Sequence, residues 1–210
     1  MAKKSRQIPL IVGVKTEDIK KSEIDLSLDN NKLTIKFYNH EVHQYLRHRT
    51  GRYVNYDPLG KYKKAIEERI SNHIELNPHI KDFIDQNKDL PVKVNILVQS
   101  LPSKSNSTKS IFYMLLGKIY KIKTPDIDNY QKTLFDVSNK LLWEDDAQIY
   151  EVTARKQYGQ SNYTEFSITY EDIDKDLLKG TIKKDEYKDK LDLYEMARKI
   201  KKGEINNGTE

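Results

Sequence analysis

Two aspartates separated by one residue, with a lysine four residues after the second, form a dense group of side chains that could do chemistry. They are Asp126, Asp128 and Lys132, in the segment TPDIDNYQK. Carboxylate oxygens are the ligands that Mg²⁺ and Mn²⁺ prefer, and these ions keep positions open for water and phosphate. A lysine beside them can face a phosphate as a point charge. The residue types therefore suit metal-assisted chemistry on a phosphate.

The element that positions these residues is predicted to be a helix. From Ile127 to Leu141, apolar side chains recur within an arc of about 80°, at about 100° per residue. Pro125 fixes the local backbone and discourages helix before it. Asp126 is therefore expected just before the helix and Asp128 in its first turn.

A purely structural interpretation fits the same segment. In it, Asp128 caps the helix and Gln131 completes a capping box. Lys132 is then an ordinary ion-pair partner one turn further on. For this segment alone, the structural interpretation is the better one.

A second acidic group changes that balance. The segment LLWEDDAQI places a triplet of carboxylates, Glu144 to Asp146, directly before a predicted strand. Three adjacent carboxylates repel one another, and a turn needs only one. A strand returning from the helix end can pass beside the helix start, which would bring Asp145 or Asp146 near the two earlier aspartates. Gathered carboxylates, a lysine and a hard cation are the inventory of a metal-dependent phosphodiesterase.

Hydrophobic periodicity places these segments among strands and one further helix. Alternating apolar residues predict strands at 33–37 and 92–98, and residues 148–158 and 162–170 are predicted to form an antiparallel hairpin around Gly159. Residues 57–74 show the helical spacing of a helix that packs one side on a sheet. The pattern predicts one α/β domain.

Composition limits the classes of protein. The 210 residues are 37% hydrophobic and contain no cysteine, which excludes disulfides and thiolate zinc sites. No apolar run approaches the roughly 20 residues that span a bilayer, so we expect a soluble, cytoplasmic protein and no membrane partner. The net charge is +5, and it resides in the first 170 residues, because residues 171–210 are nearly neutral. We therefore expect a polyanionic partner to bind within the first 170 residues.

Three segments, PDIDNYQK, WEDDAQI and EVTARKQYG, closely resemble the RusA family of Holliday-junction resolvases, endodeoxyribonucleases of bacteria and their phages. The resemblance covers roughly residues 33–170 and is strongest over 124–159. It implies an α/β (α+β) fold with a mixed β-sheet flanked by helices. It also implies a homodimer that cuts four-way DNA junctions by paired nicks with Mg²⁺, or with Mn²⁺ in its place.

The resemblance also implies roles for individual residues. It places metal ligands at Asp126, Asp128 and Asp146, with Asp145 as their neighbour in the metal site. It makes Lys132 the essential catalytic lysine. Whether Lys132 offsets charge or positions a water stays open.

The DNA-facing surface departs from the family pattern. Family members usually carry a segment rich in proline, arginine and lysine close to the N-terminus, and this chain does not. A later stretch, residues 47–53, has aromatic residues among its cations. This stretch can supply the DNA-facing surface instead, or it can be a solvated loop. The predicted DNA-binding residues are Arg47, Arg49, Arg52, Lys121 and Lys123.

We predict three regions: an N-terminal arm (1–32), a RusA-like nuclease domain (33–170), and a charged tail (171–210) that is helical or partly disordered. The tail could dock a partner or support a dimer. The second function considered is a junction-binding module without catalysis. A restriction-type nuclease is disfavoured, because its Glu-x-Lys pattern is missing at Glu151.

Overall fold

Strands and helices form the described part of the chain, which comprises residues 23–42, 49–50, 55–173 and 191–202 of a computed structural model. The strands are β1 (Glu23–Asp29), β2 (Lys32–Tyr38), β3 (Arg49–Thr50), β4 (Asn55–Tyr56), β5 (Val92–Ser100), β6 (Ile149–Tyr158) and β7 (Tyr163–Tyr170). The α-helices are α1 (Gly60–Glu75), α2 (Pro78–Asn87), α3 (Thr108–Leu115), α4 (Ile127–Ser138) and α5 (Leu191–Lys201). A 3₁₀ turn, Asp146–Gln148, precedes β6.

Five of these strands form one mixed sheet in the order β1-β2-β7-β5-β6. Strand β6 runs parallel to β5, and the other neighbouring pairs are antiparallel. The two short strands β3 and β4 form a separate ribbon. A mixed sheet with helices confirms the predicted α+β fold.

The predicted hairpin between β6 and β7 is wrong. Both strands are present and antiparallel to each other, but β5 lies between them and pairs with each. Strand β5 is buried at every second residue from Val92 to Ser100. An apolar strand of this kind is stabilised by a neighbour on each side, and the four-residue loop Gly159–Asn162 is long enough to cross it.

Two helices pack on the same face of the sheet and build its core. Their buried stripes repeat every three or four residues, as expected for half-buried helices. Helix α1 buries Tyr62, Ile66, Ile70 and Ile74, and helix α4 buries Tyr130, Leu134 and Val137. Trp143 follows α4 with no exposed surface and packs edge-on against Phe135 and Phe166. Trp143 is therefore a packing residue of this core.

The chain divides into two compact units, residues 1–171 and 172–210. In the first unit, β1 pairs with β2 along seven residues, so the sheet begins within the segment predicted as an N-terminal arm. In the second unit, helix α5 carries three basic residues in its last turn, where they complement the helix dipole. Across the described residues, no helix combines the length and apolar character that crossing a membrane requires.

Candidate active site

Helix α4 begins at the predicted place, but its cap differs from the structural interpretation. The N-cap is Asp126, in an extended conformation, and its side chain makes no capping hydrogen bond. Asp128 lies inside the first turn, near the positive end of the helix dipole. Asp126, Asp128 and Lys132 are all exposed. The two carboxylates are thus held at the helix start without being used to cap it.

Strand β6 fixes the backbone that leads into this helix start. The Lys156 ammonium donates to the carbonyl oxygens of Pro125, at 2.7 Å, and Lys123, at 3.1 Å. Asp126 follows directly. The helix start therefore lies beside the final residues of β6.

A buried polar cluster supports the same end of the sheet. Lys121 is only 8% exposed. Its ammonium donates to Glu41 Oε1 at 2.6 Å and to the hydroxyl of Ser100 at the end of β5. The Tyr130 hydroxyl of α4 also donates to Glu41 and lies 3.2 Å from the Lys121 ammonium. The cluster joins α4, β5, the segment between α3 and α4, and the residues that follow β2.

Charge pairing inside this cluster outweighs the cost of its burial. Burial alone would raise the pKa of Glu41, but hydrogen bonds from Lys121, Ser100 and Tyr130 lower it below its usual value. Burial, together with the bond to Glu41, raises the pKa of Tyr130. Glu41 is therefore ionised and Tyr130 neutral at ordinary pH.

Lys121→Met should lower the free energy of unfolding by about 3 kcal/mol, because loss of one partner leaves a largely buried carboxylate without its counter-charge. Urea unfolding measures this change. The matched control is Lys123→Met, two residues on and exposed, which should change stability by no more than about 0.5 kcal/mol. Equal losses in the two variants would mean that the pair between Lys121 and Glu41 contributes nothing specific.

The second acidic group forms a turn anchored to the start of β5. Asp145 caps the 3₁₀ turn by accepting from the Ala147 amide at 2.8 Å, and Gln148 completes a capping box. The Gln148 amide also donates to the carbonyls of Lys88 and Leu90. Asp146 accepts a hydrogen bond from the Trp143 indole at 2.8 Å. Both aspartates are exposed but also have structural bonds.

Within one chain, the two acidic groups lie at opposite ends of β6. Asp146 precedes its first residue, Ile149, whereas the start of α4 lies beside Lys156. These strand positions are seven residues apart, or about 23 Å at 3.3 Å per residue. Among the residues that the structure describes, no group of three or more His, Asp or Glu side chains could hold a metal ion.

The expectation that Asp145 or Asp146 joins Asp126 and Asp128 within one chain is therefore not met. The strand does return beside the helix start, but it presents its last residues there and not its first. A single chain thus does not assemble the three-carboxylate metal site that the resemblance implies. The metal roles of these four aspartates, and the catalytic role of Lys132, stay predictions.

The predicted DNA-binding cations fall into three groups. Arg47 and Arg52 lie outside the described residues, and Arg49 is described by its backbone alone, in β3. Lys123 is exposed. Lys121 is in the interior rather than on the predicted DNA-facing surface.

Sequence reasoning missed two structural positions at this end of the sheet, Glu41 and Lys156. Glu41 follows β2 without a motif that marks it, and its neighbour His40 is buried against the Tyr62 hydroxyl at 2.8 Å. Lys156 lies within EVTARKQYG, one of the segments that carry the family resemblance. The family resemblance of this segment was the only sequence signal that pointed to Lys156.

Comparison with known proteins gives a family for this chain. No curated protein matches the chain. Among solved structures, the chain is similar to the OmpA-like domain of FopA1 from Francisella tularensis subsp. tularensis SCHU S4, with 12% identity over 71% of this chain and 81% of that one. The TM-score is 0.29, which is too low to indicate a shared fold. The family model described as "Endodeoxyribonuclease RusA" matches residues 40–169, more than half of the 210 residues and both acidic groups. The chain belongs to the RusA family of endodeoxyribonucleases.

Proposed function

We propose that this protein is an endodeoxyribonuclease that resolves four-way DNA junctions by paired cuts and that it depends on Mg²⁺. Family membership gives the class of reaction. The observation that carries the proposal is the start of α4, where Asp126 and Asp128 are exposed and Asp126 makes no capping bond. Purely structural aspartates at a helix start would be expected to cap it.

The roles proposed for the chain's own residues follow from their positions. Asp126 and Asp128 supply two carboxylates that can hold a hard cation, which when bound would activate water and stabilise charge on a phosphate. Lys132 lies one helical turn after Asp128 and can face the same phosphate. The third carboxylate predicted for the site, Asp146, is not beside them within the chain.

The deciding experiment uses the purified full chain, a four-way junction whose crossover cannot migrate, and a linear duplex of the same sequence. We expect symmetric nicks in the junction only, and their loss when EDTA removes the metal. Equal cutting of the linear duplex would contradict junction specificity. Tight junction binding without cutting in Mg²⁺ or Mn²⁺ would favour the second function, a binding module that has lost catalysis.

Salt dependence should report the predicted basic surface. If Arg47 and Arg49 each neutralise a phosphate, changing both to Ala should flatten the plot of log K against log salt by about two units. Junction binding measured from low to moderate salt gives the slope. As a comparison, Lys64→Ala with Lys81→Ala removes two cations that already pair with Glu68 and Glu75, and the slope should stay as in the parent. An unchanged slope in the arginine variant would remove these two residues from the interface.

A further inference from the structure

Lys156 uses its ammonium group on backbone carbonyls rather than on a carboxylate. It lies near the end of β6, half-buried, and donates to the carbonyl oxygens of Pro125 and Lys123. Within the described part of the chain, no acidic side chain pairs with it. An ammonium has three N–H donors, so two of the three are taken up by one short stretch of backbone.

The stretch that Lys156 holds leads directly into Asp126. The ammonium lies 2.7 Å from the carbonyl oxygen of Pro125, the residue before Asp126. Asp126 itself has an extended backbone, and its side chain makes no bond to the helix that it begins. The place of the Asp126 carboxylate therefore depends on how firmly the backbone on either side of it is held.

A second anchor lies one helical turn later. Tyr130 follows Asp126 by four residues, and its hydroxyl donates to Glu41, which also accepts from Lys121 at 2.6 Å. Lys121 in turn donates to Ser100, the last residue of β5. Strands β5 and β6 are parallel neighbours, so both anchors come from the same end of the sheet. Asp126 lies between them.

Contact with a DNA phosphate is the other use that a lysine could have here. That use requires an exposed ammonium with its donors turned to solvent. Lys156 is half-buried and two of its donors bind carbonyls, whereas the neighbouring Arg155 is exposed. The observed bonds therefore favour a role for Lys156 inside the chain.

We propose that Lys156 is a positioning residue, which holds the backbone of residues 123–125 so that Asp126 and Asp128 present their carboxylates at a fixed place. The effect of Lys156 on cutting rests on the proposed function, whereas its effect on the backbone does not. A displacement of about 1 Å at a reacting group can lower a rate on the order of 100-fold. Loss of this anchor should therefore affect cutting far more than DNA binding.

Hydrogen exchange measured by mass spectrometry tests the anchor without any need for activity. Lys156→Met keeps an apolar stem but has no donor, so peptides covering residues 124–134 should exchange about tenfold faster than in the parent. Peptides from β7 should exchange as in the parent, which separates local opening from loss of the whole fold. Unchanged exchange over residues 124–134 would overturn the proposal.

Lys93→Met is the matched control for this measurement. Lys93 is also half-buried on a strand of the same sheet, but it pairs with Glu151 at 2.7 Å, near the start of β6 and away from α4. Its loss should leave the exchange of residues 124–134 as in the parent. Equal acceleration of these peptides in both variants would mean that any lost lysine loosens the helix start, and it would overturn the specific role of Lys156.

Junction cleavage and junction binding distinguish positioning from phosphate contact. Single-turnover cleavage by Lys156→Met in Mg²⁺ should be about 100-fold slower than in the parent, while binding in EDTA and its dependence on salt stay unchanged. Lys156→Arg should recover most of the rate and the slow exchange, because a guanidinium can donate to both carbonyls. A salt slope flatter by about one unit in Lys156→Met, with unchanged exchange, would make Lys156 a phosphate contact and overturn the proposal.

The two measurements also separate this inference from the proposed function. If the parent cuts no junction but Lys156→Met accelerates exchange at residues 124–134 alone, the anchor stands and the nuclease function fails. If the parent cuts junctions and Lys156→Met cuts them at the same rate, the function stands and the positioning role fails.

Discussion

Asp126→Asn and Asp128→Asn are each expected to lower the rate of junction cleavage by orders of magnitude while leaving junction binding intact. Asparagine keeps nearly the same volume but loses the charge that holds a hard cation. Binding could even tighten, because each carboxylate repels DNA phosphates when no metal is present. Single-turnover cleavage in Mg²⁺ and a binding titration in EDTA measure the two effects separately.

The structure makes this a test of chemistry rather than of folding. Because the Asp126 side chain does not cap the helix and Asp128 is exposed, both variants should keep the parent's stability to within about 0.5 kcal/mol. Asp136→Asn is the matched control on the same helix. Asp136 pairs with Lys63 at 2.9 Å, so that variant should lose some stability but little activity.

One result would remove the nuclease interpretation. The Asp146→Asn variant belongs in the same comparison, because an asparagine oxygen can still accept the bond from Trp143 and the fold should survive. If the variants at Asp126, Asp128 and Asp146 all cut four-way junctions at the parent rate, the acidic residues serve only the helix start and the turn.

Local patterns predicted the elements well and their neighbours poorly. The start of α4 and the alternation in β5 and β7 follow from spacing, because each depends on residues close in sequence. The position of β5 between β6 and β7 does not follow from the spacing of residues in the sequence. The short loop 159–162 fits a hairpin as well as a crossing, and the burial of β5, which requires a neighbour on each side, decides between them.

Local patterns also do not show which ends of two elements become neighbours, and this explains why the separation of the two acidic groups was not predicted. The sequence predicted that β6 passes beside the start of α4, but the direction of the strand places its last residues there and not its first. Within one chain the two acidic groups therefore lie at opposite ends of β6. Lys121 is a comparable case, since its burial depends on Glu41, which is distant in sequence.

Lys132→Ala is expected to lower the rate of cutting by orders of magnitude without raising the Mg²⁺ concentration needed for the remaining activity. An ammonium donates hydrogen bonds and cannot ligate a cation, and its positive charge one turn from Asp128 opposes metal binding if anything. Cleavage rates across a Mg²⁺ titration separate the two effects. Asp128→Asn should shift the titration, whereas Lys132→Ala should lower its plateau.

Lys132→Arg then distinguishes two ways in which the lysine could act. Arginine keeps the charge but replaces a compact ammonium with a planar guanidinium. If the lysine only offsets negative charge on the phosphate, Lys132→Arg should recover much of the activity that Lys132→Ala loses. If it positions a water or one phosphate oxygen, the arginine variant should stay inactive, because the donor no longer lies at the required point. Lys64→Ala, a change of another exposed lysine, should cut like the parent. Full activity in Lys132→Ala would show that the lysine takes no part in the reaction and would leave the two aspartates as the candidate catalytic residues of α4.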